Sequence, residues 1–530
     1  MKSVHENVEM QNAVANDKEV NPMHQLERGM VYCGFGRFHY RLLLAALFAC
    51  FANNMLTLNT SFLLPSAECD LSMNITQKGI LNAVPFLGMI TSGVFTGFLT
   101  DTFGRRKFLI WGYFGVFISC LIEGTSQTFS MLVFGKFLEG VCLTMGFNPN
   151  TSIVPELTHK DIRDRVMLVF STFKCFAAVV LVAKTWAILI QDWGFVVIPG
   201  VFEIHTWSIY LYLCGLWGLL ASVQYYFLPE SPKFLLAHGK HEESLQVLKL
   251  VYCENTGKSA DTFPVTFLGT PSTTIVNKVS TKDKIMKSLK DLKSLFRRPL
   301  LTQLLIFSFM TLLNMLAYNT FRLWYPQLST IIESHGKEHN TTDRLCSIID
   351  SYLESSRAIS LESFHSIGVQ ECITHPSGSQ TYINGMVMGF VCLLCHIVSA
   401  IFINHVSQKT LIQIYLIICS ICSSALYWSH SGFQVMSLVS IVVGFTQATT
   451  SLLFTMVVRV FPTTVRSLSV AMITMLGRIG STTGNLLFPW MLKQNCMTPF
   501  FMVSAITLCV AVMVFLLPNP SKDNKETGDN

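Results

Sequence analysis

Apolar runs long enough to cross a bilayer recur about a dozen times along this chain, and no other property restricts its fold as strongly. They fall at roughly Tyr40–Leu64, Gly79–Leu99, Phe108–Thr125, Ser130–Ser152, Met167–Leu189 and Trp207–Leu228. After the polar stretch 229–299 they resume at Leu300–Trp324, Tyr382–Ile403, Thr410–Trp428, Gly432–Val458, Ser467–Met491 and Phe500–Leu517. A hydrocarbon core about 30 Å thick takes roughly 20 helical residues. Inside it, a helix satisfies every backbone N–H and C=O within its own segment. The chain therefore reads as an all-α membrane protein of twelve transmembrane helices in two six-helix bundles. Composition agrees: only 13% of the 530 residues are charged and mean hydropathy is +0.46, too apolar for a soluble globule.

The loop charges orient this layout. An even number of spans puts both termini on one side. Lys2, Lys18, Arg28, Arg37 and Arg41 precede or open span one, Arg105, Arg106 and Lys107 follow span two, and Lys160, Arg163 and Arg165 follow span four. Lys282, Lys284, Lys287, Lys290, Lys293, Arg297 and Arg298 crowd the central loop, and Arg459 and Arg466 follow span ten. All fall on one face, whereas the alternate short loops are nearly free of bases, so that face is expected to be cytoplasmic. The division is then a cytoplasmic tail at 1–39, an N-terminal bundle at 40–228, a cytoplasmic central loop at 229–299, a C-terminal bundle at 300–517 with an exoplasmic loop at 325–380, and a cytoplasmic tail at 518–530. Residues 1–39 hold no short apolar core with a cleavage site, so they are not read as a signal peptide and stand as a candidate surface for cytosolic partners. Lys282 to Arg298, with Ile285, Leu289, Leu292 and Leu295, reads as an interface helix on anionic lipid.

Several classes are excluded. The net charge of +6 is dispersed among loops rather than gathered in one basic domain, which argues against nucleic acid as a partner. Most of the sixteen cysteines sit inside apolar runs, with no zinc-ligand spacing, so no metal or cofactor is expected. No nucleophile–base constellation is legible, and the chain is not read as an enzyme. In the exoplasmic loops, Asn340-Thr341-Thr342 and Asn74-Ile75-Thr76 are glycosylation sequons on the permitted side. Cys346 and Cys372 share that oxidising compartment and are a candidate disulfide, with Cys69 a rival partner.

The link between spans two and three, Gly97-Phe98-Leu99-Thr100-Asp101-Thr102-Phe103-Gly104-Arg105-Arg106-Lys107, is a tight hairpin in which Gly97 and Gly104 permit close backbone approach. Its spacing resembles the loop between helices 2 and 3 of major facilitator superfamily transporters. A worn copy stands after span eight at Asn404-His405-Val406-Ser407-Gln408-Lys409, and Glu156 to Arg163 is echoed by Phe461 to Arg466, as an internal repeat would leave. Gly36-Arg37-Phe38, Leu64-Pro65-Ser66-Ala67-Glu68, Phe202-Glu203-Ile204-His205-Thr206-Trp207 and Pro229-Glu230-Ser231-Pro232-Lys233-Phe234-Leu235 are similar to the synaptic vesicle glycoprotein 2 family and its transporter relatives. The resemblance is dense from Gly36 to about Gly257 and looser beyond. It implies two six-helix bundles rocking around a central site, and a gate in which Asp101 caps a neighbouring helix end or pairs with Arg163 or Arg165. It also marks departures. Asn53 and Leu56 stand where the family carries an acidic pair in span one, Arg459 replaces an acid in span ten, and Lys136 replaces an arginine in span four.

Charge at membrane depth is costly, so each instance needs a role. Arg478 lies twelve residues beyond Arg466, roughly 18 Å into span eleven. It is the first candidate for the cavity, either binding an anionic group or pairing with an acid. Lys174, in the pseudo-equivalent span five, lies nine residues past Arg165, roughly 13 Å deep. Lys184 is expected to snorkel toward the exoplasmic end of span five, and Lys136 to pair with Glu139 on its own helix. Asn53, Asn54, Asn59, Trp186, Asn314 and Tyr318 are further candidates to line the cavity, against ordinary packing. Two functions follow. One is a secondary transporter of a small organic solute, leaning to an anion or zwitterion, in a plasma or vesicle membrane. The other is a non-transporting, transporter-like vesicle protein acting in binding, trafficking or exocytosis.

Overall fold

The computed structural model describes residues 22–198, 202–268, 297–339, 344–362, 377–403, 405–461 and 465–517. Twelve long helices stand at the expected places. Spans one to six are Arg37–Ala67, Ile75–Phe103, Arg105–Gly124, Phe129–Glu156, Lys160–Leu189 and Thr206–Tyr226. Spans seven to twelve are Leu300–His339, Ser379–Phe402, Gln408–Ala425, Gly432–Val460, Arg466–Gln494 and Thr498–Met513. Ten are long and apolar enough to cross a membrane on composition alone. The other two, spans two and eleven, have 29 residues each and pack against each other between the bundles. Spans one and seven, and five and eight, also meet across that interface.

Close approach within the first bundle depends on two glycines. A Cβ on Gly88 of span two would overlap the Phe137 carbonyl oxygen, and one on Gly140 of span four would overlap that of Pro85. Backbone contact of this kind replaces hydrophobic exclusion as the cohesive force between helices in lipid. Stacked aromatic rings fill the bundle elsewhere, Phe51 on Trp217 at 4.7 Å and Tyr113 on Tyr225 at 6.3 Å.

The two ends of the molecule differ. On one, here the tail face, helix Pro22–Cys33 packs on two short helices after span six, Pro232–Ala237 and His241–Thr256. Asn255 stitches them to span one: its Oδ1 accepts from Phe38 N at 3.0 Å and its Nδ2 donates to Cys33 O at 3.0 Å. Glu27 of the N-terminal helix pairs with Lys233 at 2.6 Å and Arg163 at 3.2 Å. Part of the segment 1–39, expected as a tail, is thus folded down on the bundle. The basic segment from Lys282 falls largely within 269–296, outside the described residues.

On the opposite, loop face, β1 (Phe195–Ile198) and β2 (Phe202–Ile204) form a small antiparallel hairpin. Span seven runs on through Pro326 to His339, so the loop expected from 325 starts later. The apolar run ends at Trp324, but Gln327, Ser329 and Thr330 beyond it are buried, and Thr330 Oγ1 donates to the Pro326 carbonyl at 2.9 Å. A further helix, Leu345–Glu362, lies in that loop. Cys346 is bonded not to Cys372 but to Cys496, just past span eleven. Both cysteines sit at helix ends on the same face, with Cα atoms 5.6 Å apart. Cys372 and Asn340 lie outside the described residues. Asn74 is exposed, and its side chain caps span two by accepting from Gln77 N at 2.9 Å.

Candidate functional site

A cavity of about 360 Å³ lies between the bundles, walled by spans one, two, four and five on one side and seven, ten and eleven on the other. Three cations reach it: Lys174 from span five, Arg322 from span seven and Arg478 from span eleven. Asn53, Asn54, Asn319 and Gln447 supply amides, Phe86, Phe147, Phe170, Tyr318 and Phe454 supply rings, and among the described residues no acidic side chain is in the wall.

Each cation is held without a carboxylate. Arg478 Nη1 donates to the Met89 carbonyl of span two at 3.0 Å, which ties the bundles together at this depth. Gly93 makes room, since a Cβ there would lie 3.1 Å from that nitrogen. Lys174 Nζ stands 5.1 Å from the Phe170 ring and 6.0 Å from Phe147, and Arg322 stands 5.4 Å from the Tyr318 ring. Ring faces attract cations without neutralising them. None of the salt bridges among the described residues involves these three. Uncompensated positive charge inside low-dielectric walls focuses a field that attracts anions and repels cations.

Of the other expected lining residues, Asn53 and Asn54 are in the wall, and Asn53 Nδ2 also donates to Tyr113 Oη at 3.0 Å. Asn314 is not in the wall. It is buried between spans seven and ten, donating to Thr446 O at 3.0 Å and Thr450 Oγ1 at 2.8 Å, an amide bond between helices rather than a solute contact. Trp186 is also outside the wall and packs in the apolar cluster of Phe62, Leu64 and Tyr210. Asn59 faces a buried charge cluster with Lys136 and Glu139. Lys184 does not snorkel: its Nζ lies 3.0 Å from Cys214 Sγ and 5.1 Å from the Tyr210 ring. Arg322, Asn319 and Gln447 were missed in sequence. Arg322 sits two residues from the end of the apolar run at Trp324, where the depth criterion that selected Arg478 places it at the membrane edge; the continuation of span seven to His339 is what carries it inward.

The hairpin after span two is built around Glu230. Its carboxylate accepts from the backbone of Arg105 at 3.2 Å and of Arg106 at 3.1 Å, capping the positive end of span three. Gly104 is required twice, for its φ of +102° and because a Cβ would press on Glu230 Oε2. Arg105 pairs with Glu156, whose Oε2 accepts from Ser231 Oγ at 2.6 Å. Arg106 donates to Tyr226 O at 2.5 Å, and Lys107 is exposed. Arg163 pairs with Glu27. The side chains of Asp101 and Arg466 lie outside the described set. Gly97 makes no close approach, because a Cβ there would meet nothing within 4 Å. The described contacts across the bundles lie from Arg478 toward the loop face. Val182 packs on Gly385, Phe62 stacks on Tyr382 at 6.1 Å, and Lys493 donates to Thr76 at 2.7 Å. Lys78, wholly buried, pairs with Glu68 at 2.6 Å and donates to Tyr352 Oη of the loop helix at 3.3 Å. The cavity is closed on the loop face.

Two six-helix bundles around a central cavity, with a charged hairpin after span two, define a membrane carrier architecture. The chain belongs to the major facilitator superfamily: the family model described as sugar (and other) transporter matches residues 43–339, and that described as Major Facilitator Superfamily matches residues 350–530. It is 28% identical over 252 residues to synaptic vesicle glycoprotein 2B of Rattus norvegicus, covering 47% of this chain and 37% of the relative. With human synaptic vesicle glycoprotein 2C it is 29% identical over 248 residues, 45% of this chain and 33% of the relative. The matches thus span only about a third of these relatives' length. The fold is shared with the xylose transporter XylE from E. coli in a partially occluded inward-open conformation, at TM-score 0.63 and 14% identity over 91% of this chain and all of that one. A D-xylose-proton symporter structure gives TM-score 0.62 at 12% identity over 92% of this chain and 99% of that one.

Proposed function

We propose that this protein is a secondary transporter of small organic anions carrying an apolar or aromatic body, working by alternating access with its tail face in the cytoplasm. The observation that carries the reading is the cavity wall itself, with Lys174, Arg322 and Arg478 and no carboxylate among its described residues. The rings beside the cations favour a solute with a flat apolar part next to its charge. Closure on the loop face and open space at Gly97 fit a carrier facing the cytoplasm. Glu230, Arg105 and Glu156 are the gate residues, holding spans two, three, four and six as one body while the bundles rock.

Benzenesulfonate is a suitable probe, since it stays charged and does not leak across lipid as a neutral acid. Purified full-length protein in proteoliposomes is expected to take it up saturably, with competition by benzoate and none by benzylammonium. Arg478→Gln is expected to abolish that uptake. Equal competition by the cation would overturn the reading. Similarity to synaptic vesicle glycoprotein 2 proteins supports a second reading, a transporter-like vesicle protein that binds such an anion without moving it. Binding without uptake in the same vesicles would favour it.

A further inference from the structure

Inside the N-terminal bundle, away from the cavity wall, three charged side chains meet with none of their surface reaching solvent. They are Glu123 near the end of span three, and Lys136 and Glu139 one turn apart on span four. Lys136 Nζ lies 2.7 Å from Glu123 Oε2 and 2.7 Å from Glu139 Oε2, and donates to Asn59 Oδ1 at 3.0 Å. The contacts to Glu139 and Asn59 are hydrogen bonds, and Glu123 is held by the ion-pair contact alone. Asn59 Nδ2 returns to Glu139 Oε1 at 3.3 Å. Both Glu123 carboxylate oxygens are buried without a hydrogen-bond partner, and Oε1 also lies outside the Lys136 ion pair.

The other groups facing the cluster bring no charge to balance it. Cys120 Sγ and the two carboxylates lie within 4.8 Å of one another. The Ser126 hydroxyl is turned onto the Glu123 main-chain carbonyl at 2.5 Å. Cys214 of span six belongs with Tyr210 and Lys184, whose ammonium is directed at the Cys214 sulfur. The Lys136 ammonium already fills the position between the carboxylates that a metal cation would take. Two carboxylates and one ammonium sum to a net charge of −1, in a place where an unpaired charge is strongly disfavoured. One proton removes it, and the unpartnered Glu123 oxygen is where an O–H has room to form.

We propose that Glu123 and Glu139 share one exchangeable proton, so that this cluster is a proton-binding site separate from the solute cavity. The proton comes from solvent water and returns to it, and no other group changes state. Asn59 links the site to the cavity, since it stands two residues beyond Thr57, which lines the wall with Asn53 and Asn54 on the same helix. Loss of the proton turns a donor into an acceptor beside Lys136 and Asn59.

Infrared spectroscopy of the purified full-length protein above pH 7, where exposed carboxyls are ionised, tests this without a substrate. A protonated-carboxyl C=O band is expected, lost in Glu123→Gln and equally in Glu139→Gln, because the remaining acid becomes the carboxylate partner of Lys136. In native protein moved to heavy water, the band is expected to shift within minutes, well before the core amides exchange. This second measurement holds even where a variant fails to fold. Absence of the band, its survival in both variants, or its failure to shift would each overturn the proposal. None of these outcomes bears on anion uptake, which stands or falls separately.

Discussion

Lys136→Met isolates the electrostatic core of the first bundle, because methionine keeps an unbranched stem one atom shorter than lysine and removes the charge and donors. The native ammonium is wholly buried and serves Glu123, Glu139 and Asn59 on spans three, four and one. Removing one member of a buried ion cluster leaves its partners desolvated and unpaired, at about 3–5 kcal/mol. For a cooperative unit the size of one bundle, each kcal/mol lowers the melting temperature by roughly 2–4 °C, so a fall of about 6–20 °C is expected. The assay is thermal unfolding of the detergent-purified protein, followed by intrinsic tryptophan fluorescence. Adding Glu123→Gln and Glu139→Gln to Lys136→Met removes the orphaned charges and is expected to recover most of the loss, since a neutral, filled core costs little. If Lys136→Met melts with the native protein, or the triple variant is no better than the single one, the cluster is not the buried ion site described.

On the tail face, burial disfavours the Glu27 carboxylate, but Lys233 and Arg163 outweigh it and hold its pKa below the ordinary range. A depressed carboxylate adds stability above its unfolded pKa and loses it as pH falls through the lower folded value. Glu27→Gln is therefore expected to raise hydrogen exchange of residues 22–33 about five- to thirty-fold at pH 7, roughly 1–2 kcal/mol, and to match the native protein in strong acid. Burial pushes the Cys33 thiol up to about 12, so it is expected to stay unlabelled by maleimide at pH 7.5 until Glu27→Gln loosens the helix. Gly140→Val drives a side chain into the Pro85 carbonyl and is expected to prevent normal assembly of spans two and four, seen as aggregation on size exclusion. Peptide mapping without reductant is expected to recover Cys346 joined to Cys496.

The twelve spans were legible because lipid imposes one length and one composition on every segment that crosses it. What escaped was whatever depends on which way a helix is turned. Asn314 and Asn53 carry the same amide in similar apolar settings, yet one bonds spans seven and ten while the other reaches the cavity. Arg478 could be placed by depth alone because it is charged, whereas Trp186 suits lipid, core and cavity equally. Lys136 and Glu139 are a turn apart and could be paired from spacing. Glu123 comes from another helix, and nothing local marks it as their third member. The disulfide failed for a related reason, since Cys496 lies in the short link between two apolar runs and its neighbour in space is set by where the long span seven delivers the Leu345–Glu362 helix.

Equilibrium binding of radiolabelled benzenesulfonate to the purified protein tests the central claim, that three unpaired cations make this an anion cavity. Removing a charge that contacts a desolvated anion costs about 2–5 kcal/mol, so Lys174→Gln, Arg322→Gln and Arg478→Gln are each expected to weaken binding by roughly thirty-fold or more. Native binding should be displaced by benzoate and not by benzylammonium. Binding that the three variants leave unchanged, or that the cation displaces as well as benzoate does, would contradict it.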